Sequence, residues 1–171
     1  MGAPFTHRMR RAWRHWLSNG GAARRAFPAT TLSAIAQAIT AGEQTHRGEV
    51  RLIVEAAMPS DAIWLDQSNR QRALALFAEH GVWDTEDNCG VLVYINLAER
   101  KVDIVADRAI TRKIDASTWQ KVCSTMTEGF ARGDFHASTL AAIEHINELL
   151  RQHFPATGAR ANELPDRPIV L

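Results

Sequence analysis

VWDTEDNCGVLVYINLAERKVDIVADRAI, residues 82–110, is the stretch of this chain that determines its fold. Two apolar runs are joined by a short polar turn, a pattern that predicts a β-hairpin. If Glu99 and Arg100 form a two-residue turn, Tyr94 faces Val105 across the hairpin. A slip of one residue would exchange the two faces of both strands.

The residues before the hairpin predict a helix, a strand and a second helix. Thr30 or Thr31 can cap a helix that ends near Gly42, and EVRLIVEAA then predicts a strand with one strongly apolar face. Residues 63–79 are compatible with a helix that stops at Gly81. A strand, a helix and a further strand form a βαβ unit, so the strand before this helix should run parallel to the first hairpin strand.

Two more helices are predicted after the hairpin. An apolar stripe runs from Trp119 to Phe130, and a second runs from Leu140 to Phe154, where Pro155 stops it. Residues 155–171 have three prolines and no helical or strand period. This tail is either disordered or laid extended over the domain, and its apolar end favours docking.

Composition indicates one globular domain with a basic N-terminal arm. The chain has 171 residues, of which 46% are hydrophobic and 23% charged. The net charge is +1, but six arginines and no acidic residue precede Glu43, so the remainder carries about −5. We therefore divide the chain into an arm at residues 1–29, a domain at 30–154 and an extended tail at 155–171.

The arm has the pattern of a short basic amphipathic helix, with Met9, Trp13, Trp16 and Leu17 at helical spacing. Arginine and tryptophan suit an anionic membrane surface, or a membrane protein complex. The alternative is that the arm folds back on the acidic domain and buries its tryptophans, because a helix of this length is marginal alone. The residues expected to meet a partner are Arg8, Arg10, Arg11, Trp13, Arg14 and Trp16.

Several other classes of protein are disfavoured. Cys89 and Cys123 have neither a disulfide-scaffold nor a zinc-site spacing. No apolar run is long enough to span a bilayer, and no secretory signal is present, so we expect a cytoplasmic protein, peripheral to the membrane if its arm binds lipid. Glycine-rich phosphate loops and hydrolase motifs are absent, no organic cofactor is expected, and too few basic and aromatic residues alternate on the domain for nucleic-acid binding.

The open end of the hairpin carries acidic and amide residues. Asp84, Asp87 and Asn88 precede the first hairpin strand and Asp107 follows the second, so antiparallel pairing brings them to one edge of the sheet. Carboxylate and amide oxygens suit Ca²⁺ or Mg²⁺. The alternative is that these residues are solvated turn formers or helix caps. Arg108 is either an ion-pair partner within the loop or a clamp for phosphate.

Three motifs resemble the TPM domain family: GEVRLIVEAA, the hairpin stretch quoted above and MTEGFARGDF. The closing LPDRPIVL is similar to the same family, in particular to a compact bacterial branch of uncharacterised and membrane-annotated proteins. The resemblance implies an α/β fold, a three-layer α/β/α sandwich around a short mixed sheet with a central antiparallel hairpin. The family's acidic positions correspond here to Asp84, Asp87, Asn88 and Asp107.

The functions that this resemblance implies differ between relatives. Some TPM proteins are described as acid phosphatases, some bind divalent cations, and one is a receptor accessory protein without evident catalysis. This sequence has Cys89 where the branch often has a second Asn, and Ala109 where Gly often follows the Asp-Arg pair. A thiol is a poor ligand for a hard cation, and Ala109 would resist a positive φ.

Two function hypotheses follow. The first is a TPM binding or scaffolding module that is recruited to membranes by its basic arm. The second is a divalent-cation-assisted, acid phosphatase-like hydrolase, with the acidic residues holding the metal and Arg108 the phosphate. The first is favoured because no nucleophile and base pair is evident and a fold does not confer an activity.

Overall fold

The computed structural model describes residues 9, 11, 13, 15, 20–158 and 161–171. Met9, Arg11, Trp13 and His15 are helical. The further elements, in chain order, are α1 (Gly20–Ala26), α2 (Ala29–Glu43), β1 (Glu49–Glu55), α3 (Ser60–Trp64), α4 (Asn69–Glu79), β2 (Gly90–Asn96), β3 (Lys101–Ala106), α5 (Arg108–Thr111), α6 (Ala116–Ala131), α7 (Phe135–His153) and β4 (Ile169–Val170).

The strands form one mixed sheet in the order β3-β2-β1-β4. β1 runs parallel to β2 and to β4, while β2 and β3 are antiparallel. The parallel pairing of β1 with β2 across α3 and α4 confirms the predicted βαβ unit. The mixed sheet with its antiparallel pair confirms the predicted α/β fold class.

Helices cover both faces of the sheet. On one face, Leu52 and Val93 lie in a large core with residues of α2, α6 and α7. On the other face, Ile53 and Tyr94 pack with α4 in a smaller core. Every residue of β2 is buried, because neighbouring side chains point into different cores. The three layers of helix, sheet and helix follow from this.

The hairpin register differs from the predicted one by two residues. Tyr94 lies opposite Asp103, and the connecting loop has four residues rather than two. Asn96 holds this loop, since its Oδ1 accepts the N–H of Glu99 at 3.0 Å. Arg100 adopts φ +54° and donates its N–H to the Leu97 carbonyl at 3.2 Å. A shift of two leaves every side chain on its predicted face, because side chains alternate with a period of two.

Two local predictions about helices were wrong. The predicted helix at residues 63–79 is interrupted, because Ser68 starts α4 with a capping box that uses the side chain of Gln71. Thr31 does not cap α2, which begins directly after Pro28 without a side-chain cap. The Thr31 hydroxyl instead lies 2.9 Å from Nδ1 of His136, which joins α2 to α7.

The end of the tail lies extended over the domain. The Leu171 N–H donates to Val54 at 2.8 Å, and Ala56 donates back to Leu171 at 3.0 Å. Earlier in the tail, the Leu164 N–H donates to the Glu49 carboxylate at 3.1 Å. Of the two alternatives for the tail, docking is therefore the one seen in residues 161–171.

Glu43 lies close to this docked tail. Burial raises its pKa from 4.5 to about 9, against the opposing hydrogen bond from the Val50 N–H. The negative charges of Glu49 and Asp166 raise the pKa further. The neutral carboxyl is therefore the form that the folded protein favours near neutral pH.

Candidate functional site

The acidic mouth, defined as Asp84, Asp87, Asn88 and Asp107, lies where the loop before β2 meets the residues after β3. The Asp107 N–H donates to the Gly90 carbonyl at 2.9 Å, which ties the two chain segments together. This contact is a consequence of the antiparallel pairing that the sequence predicts.

Gly90 sets the entry to β2. A Cβ atom there would lie 1.8 Å from the Val82 carbonyl oxygen, so the loop approaches the strand more closely than any side chain permits. Gly81, with φ +63°, ends α4 and starts the loop. The two glycines bring the loop back across the start of the sheet, where the mouth forms.

Asn88 and Arg108 are joined directly. The Asn88 side-chain oxygen accepts hydrogen bonds from Arg108 Nε at 2.9 Å and Nη2 at 2.5 Å. The Asn88 carbonyl also accepts the N–H of Ala109 at 3.3 Å. Asn88 adopts φ +53°, a conformation that asparagine tolerates better than most residues. The guanidinium of Arg108 therefore already occupies the amide oxygen that was predicted as a metal ligand.

The two carboxylate oxygens of Asp107 differ in their hydrogen bonding. Its Oδ1 accepts the Arg108 N–H at 2.6 Å and so caps α5. Its Oδ2 is buried and has no hydrogen-bond partner among the described residues. A buried carboxylate oxygen without a partner is costly, so this atom is the strongest indication of a ligand in the mouth.

The other predicted ligands are dispersed. Asp87 forms an ion pair with Arg47, with 3.3 Å between Oδ2 and Nη1. Asp84 is exposed on the loop. Glu86 is tied through its backbone to the tail, since its N–H donates to Glu163 at 2.8 Å. The structure therefore places the acidic residues at one edge but engages Asp87 and Asn88 with arginines.

The structure places the two sequence departures, Cys89 and Ala109, in the core and in a helix respectively. Cys89 is buried in the large core, and its thiol lies 3.3 Å from the Asp87 carbonyl oxygen. Its side chain therefore serves packing. Ala109 lies within α5 and is not among the residues with positive φ, so alanine causes no backbone strain there.

A hard cation requires several oxygen ligands around one point. Ca²⁺ takes roughly six to eight oxygen ligands and Mg²⁺ about six. Over the residues that the structure describes, no group of three or more His, Cys, Asp or Glu side chains is placed to hold one metal ion. Asp107 Oδ2 fits such a ligand, whereas Asn88 and Asp87 can contribute only after Arg108 and Arg47 release them.

A second cluster of charges lies at the opposite end of the sheet, on the hairpin loop. The Glu99 side chain is almost fully buried, forms an ion pair with Arg11 and accepts a hydrogen bond from Nε2 of His15, which lies 3.2 Å from Glu99 Oε1. Lys101 lies 3.4 Å from the other carboxylate oxygen. Burial alone would raise the pKa of Glu99, but the hydrogen bonds from His15 and Arg11 and the nearby positive charges outweigh it and lower the pKa to about 2.

Arg11 and His15 fix the arm against the domain. Arg11 Nη2 donates to the Gln67 carbonyl at 2.6 Å and lies 3.2 Å from the Met58 sulfur. His15 Nδ1 accepts the Met58 N–H at 2.9 Å. Since these two residues are four apart in a helical segment, they share the face that contacts the protein.

Two other residues of the arm are exposed. Met9 is 50% exposed and Trp13 is 60% exposed. The alternative in which the arm folds back was expected to bury its tryptophans, and for Trp13 this is wrong, because Arg11 and His15 make the contacts with the domain that the structure describes. Arg8, Arg10, Arg14 and Trp16, which were also expected to meet a partner, lie outside the described residues.

Known proteins match most of this chain in sequence family and in fold. The family model described as the TPM domain matches residues 24–149. This chain belongs to the TPM domain family. The NMR structure of BA42 protein from the psychrophilic bacterium Bizionia argentinensis has the same fold, with a TM-score of 0.74 and 23% sequence identity over 84% of this chain and 94% of that chain. No functionally curated protein matches this chain.

The two charge clusters differ in how many of their residues lie within the range that the TPM model matches. All four residues of the acidic mouth lie within the matched residues, as does Glu99. Arg11 and His15 precede them. The arm therefore attaches to the TPM domain both at the buried carboxylate of Glu99 on the hairpin loop and at residues 58–67. Sequence reasoning missed Glu99 because a single Glu in a polar turn is ordinarily solvated.

Proposed function

We propose that this TPM protein is a binding module that attaches to anionic membrane surfaces through its N-terminal arm. The observation that carries the proposal is the orientation of the arm, which turns Arg11 and His15 inward and leaves Met9 and Trp13 exposed. Exposed tryptophan and methionine on an arginine-rich segment suit the boundary between headgroups and acyl chains.

The domain adds apolar residues beside the arm. Trp64 is 50% exposed and Leu65 is 79% exposed, and both directly precede Asp66 and Gln67, which Arg11 contacts. We refer to Met9, Trp13, Trp64 and Leu65 as the N-terminal surface. Exposed large apolar side chains on adjoining segments suit an interaction surface.

Charge selects the partner of this surface. The first 42 residues contain six arginines and no acidic residue. An anionic bilayer attracts each basic side chain near its surface by about 1 kcal/mol. None of the helices in the described part of the chain is both long and apolar enough to span a bilayer. The attachment we propose is therefore peripheral and depends on salt.

Sedimentation with vesicles tests the proposal. We expect binding to phosphatidylcholine vesicles that contain phosphatidylserine, and little binding to phosphatidylcholine alone. A Trp13→Ser, Leu65→Ser double variant should lower the partition coefficient by at least about 30-fold, since each of the two large side chains that leaves the interface removes about 1 to 2 kcal/mol. Because both side chains are exposed, the variant should fold normally.

Trp83→Ser is the matched control. Trp83 is 53% exposed but lies in the loop before β2, at the opposite end of the sheet. Its removal should leave partition unchanged. Equal losses in the control and in the double variant would contradict the proposed orientation, and binding that is indifferent to phosphatidylserine would contradict the role of charge.

The second candidate function is a divalent-cation-assisted phosphatase-like hydrolase. The observation that favours it is the buried Oδ2 of Asp107, which has no hydrogen-bond partner among the described residues. A cation held there would draw on Asp84, Asp87 and Asn88, and Arg108, once released from Asn88, would face a phosphate group. A bound cation stabilises developing charge on phosphate oxygens.

A thermal-shift titration with Mg²⁺ and Ca²⁺ tests this candidate, because an ion that binds only the folded protein raises its melting temperature. Asp107→Asn keeps the acceptor that caps α5 but should abolish the shift. Asp115→Asn is the control, since Asp115 makes no side-chain capping bond and lies outside the mouth. Hydrolysis of p-nitrophenyl phosphate that survives an Asp87→Ala, Asp107→Ala double variant would reject the mouth as the active site.

A further inference from the structure

A cleft with a volume of about 560 Å³ opens at the end of the sheet away from the acidic mouth. It lies between α1, the hairpin loop and the carboxyl end of α6. This edge is where the parallel strands β1 and β2 end, which is the position at which open α/β sheets commonly hold ligands. The volume falls within the range of small-molecule sites, about 300 to 1,000 Å³.

The charged side chains of this cleft all have the same sign. Arg25 of α1 and Arg100 of the hairpin loop line it, and no Asp or Glu is among the described residues that do so. The hydrogen bond from the Glu99 N–H to Asn96 holds the loop that carries Arg100. Asn96, whose side chain accepts that bond, also lines the cleft. The polar side of the cleft therefore offers donors and positive charge.

The opposite wall is aromatic. The rings of Phe130 and Phe135 are stacked, with centroids 4.9 Å apart and an angle of 26° between the planes. Phe27 meets both rings edge-on, with centroids 6.1 Å and 5.8 Å away. A buried third ring restricts the motion of the other two, so the wall is preformed. A ligand that packs there loses little to reorganisation of the protein.

We propose that this cleft binds a small amphiphilic anion from solution. Its carboxylate, sulfonate or phosphate group lies between the guanidinium groups of Arg25 and Arg100, and its ring or short apolar chain packs against Phe130 and Phe135. Arginine is suited to this role because its planar donors match the oxygens of such groups. The site is separate from the acidic mouth and from the N-terminal surface.

Calorimetric titration with 2-naphthoate and with 2-naphthamide tests the proposal. The two probes share a ring system and differ in charge, so 2-naphthoate should bind at least about tenfold more tightly, the factor expected for a charge-assisted hydrogen bond. Arg25→Gln and Arg100→Asn should each remove most of this preference while weak binding of 2-naphthamide persists. Asparagine suits position 100 because it tolerates the positive φ there.

Arg24→Gln is the matched control, because Arg24 is the neighbouring exposed arginine of α1 and does not line the cleft. It should bind 2-naphthoate as the unaltered protein does. Equal affinity for the two probes, or an Arg100→Asn variant that binds 2-naphthoate as tightly as Arg24→Gln does, would overturn the proposal.

Two further outcomes separate this cleft from membrane attachment. The Trp13→Ser, Leu65→Ser variant should keep full affinity for 2-naphthoate, so failure of membrane binding leaves the cleft intact. An affinity that appears only when phosphatidylserine vesicles are present, with none for free 2-naphthoate, would overturn the assignment to a small molecule in solution.

Discussion

Replacement of Glu99 by Gln removes the carboxylate that forms an ion pair with Arg11 and accepts a hydrogen bond from His15. The pKa of Glu99 falls from 4.5 to about 2 in the folded protein. At about 1.36 kcal/mol per pKa unit, the ionised carboxylate is favoured by about 3 kcal/mol in its folded surroundings. Since Glu99 and Arg11 are both almost fully buried, little of this is lost to solvent screening. We expect Glu99→Gln to lower the free energy of unfolding by up to about 3 kcal/mol at pH 7.

The effect should depend on pH in a defined direction. A carboxyl group whose pKa is depressed by folding stabilises the protein above its unfolded pKa of 4.5 and loses that contribution as the pH falls through its folded value of about 2. Urea unfolding should therefore show a full difference between the variant and the unaltered protein at pH 7. The difference should shrink below about pH 4.5 and vanish near pH 2.

Glu148→Gln is the control for this measurement. Glu148 forms an ion pair with Arg151 on the surface of α7, where both side chains are about half exposed. Such pairs contribute at most about 1 kcal/mol. If Glu99→Gln cost no more than Glu148→Gln at pH 7, or if its cost persisted unchanged at pH 2, the reasoning about the buried cluster would be refuted.

Three other predictions concern the core and the tail. Tyr94→Phe should lower the free energy of unfolding by about 1.5 to 3 kcal/mol in urea titrations, because the phenol donates to the buried Glu55 carboxylate at 2.5 Å. Since phenylalanine fills the same space, an unchanged stability would contradict that hydrogen bond. Glu43→Gln should become more stable than the unaltered protein as the pH rises from 4.5 to about 9, by at least about 1 kcal/mol at the upper end. Over this range the Glu43 carboxyl ionises in the unfolded chain but stays protonated in the folded protein, so the unaltered protein loses stability; a constant difference between the two proteins would contradict this. Gly90→Ala should lower the free energy of unfolding by more than about 3 kcal/mol or prevent folding, because the added carbon meets the Val82 carbonyl, which is backbone and cannot move aside. Circular dichroism and the yield of soluble protein measure this effect.

The strands and their faces were predictable because they depend on local alternation. In β2 the residues at odd positions from Val91 enter one core and those at even positions from Leu92 enter the other, as the alternation in the sequence indicates. The pairing of strands was predictable only to within two residues. The four-residue loop depends on the side chain of Asn96, and a sequence does not show which backbone N–H that side chain will accept.

The candidate sites were predictable only in part, because their side chains meet across long separations in the chain. Topology brings the acidic residues to one edge, but nothing near Asn88 in the sequence indicates that Arg108, twenty residues later, takes its side-chain oxygen. The pair of Arg11 and Glu99 is separated by 88 residues. The arginine-rich arm was evident from composition, whereas the carboxylate that receives it was not.

The docked tail has a consequence for the protein during its synthesis. β4 pairs with the outer edge of β1, more than one hundred residues earlier in the chain. Until residues 169–171 have left the ribosome, that edge of β1 has no strand beside it and its outward backbone groups lack their final partners. Unpaired strand edges are where chains join into aggregates. The nascent protein thus passes through a period in which a strand from another chain could take the place of residues 169–171 beside β1.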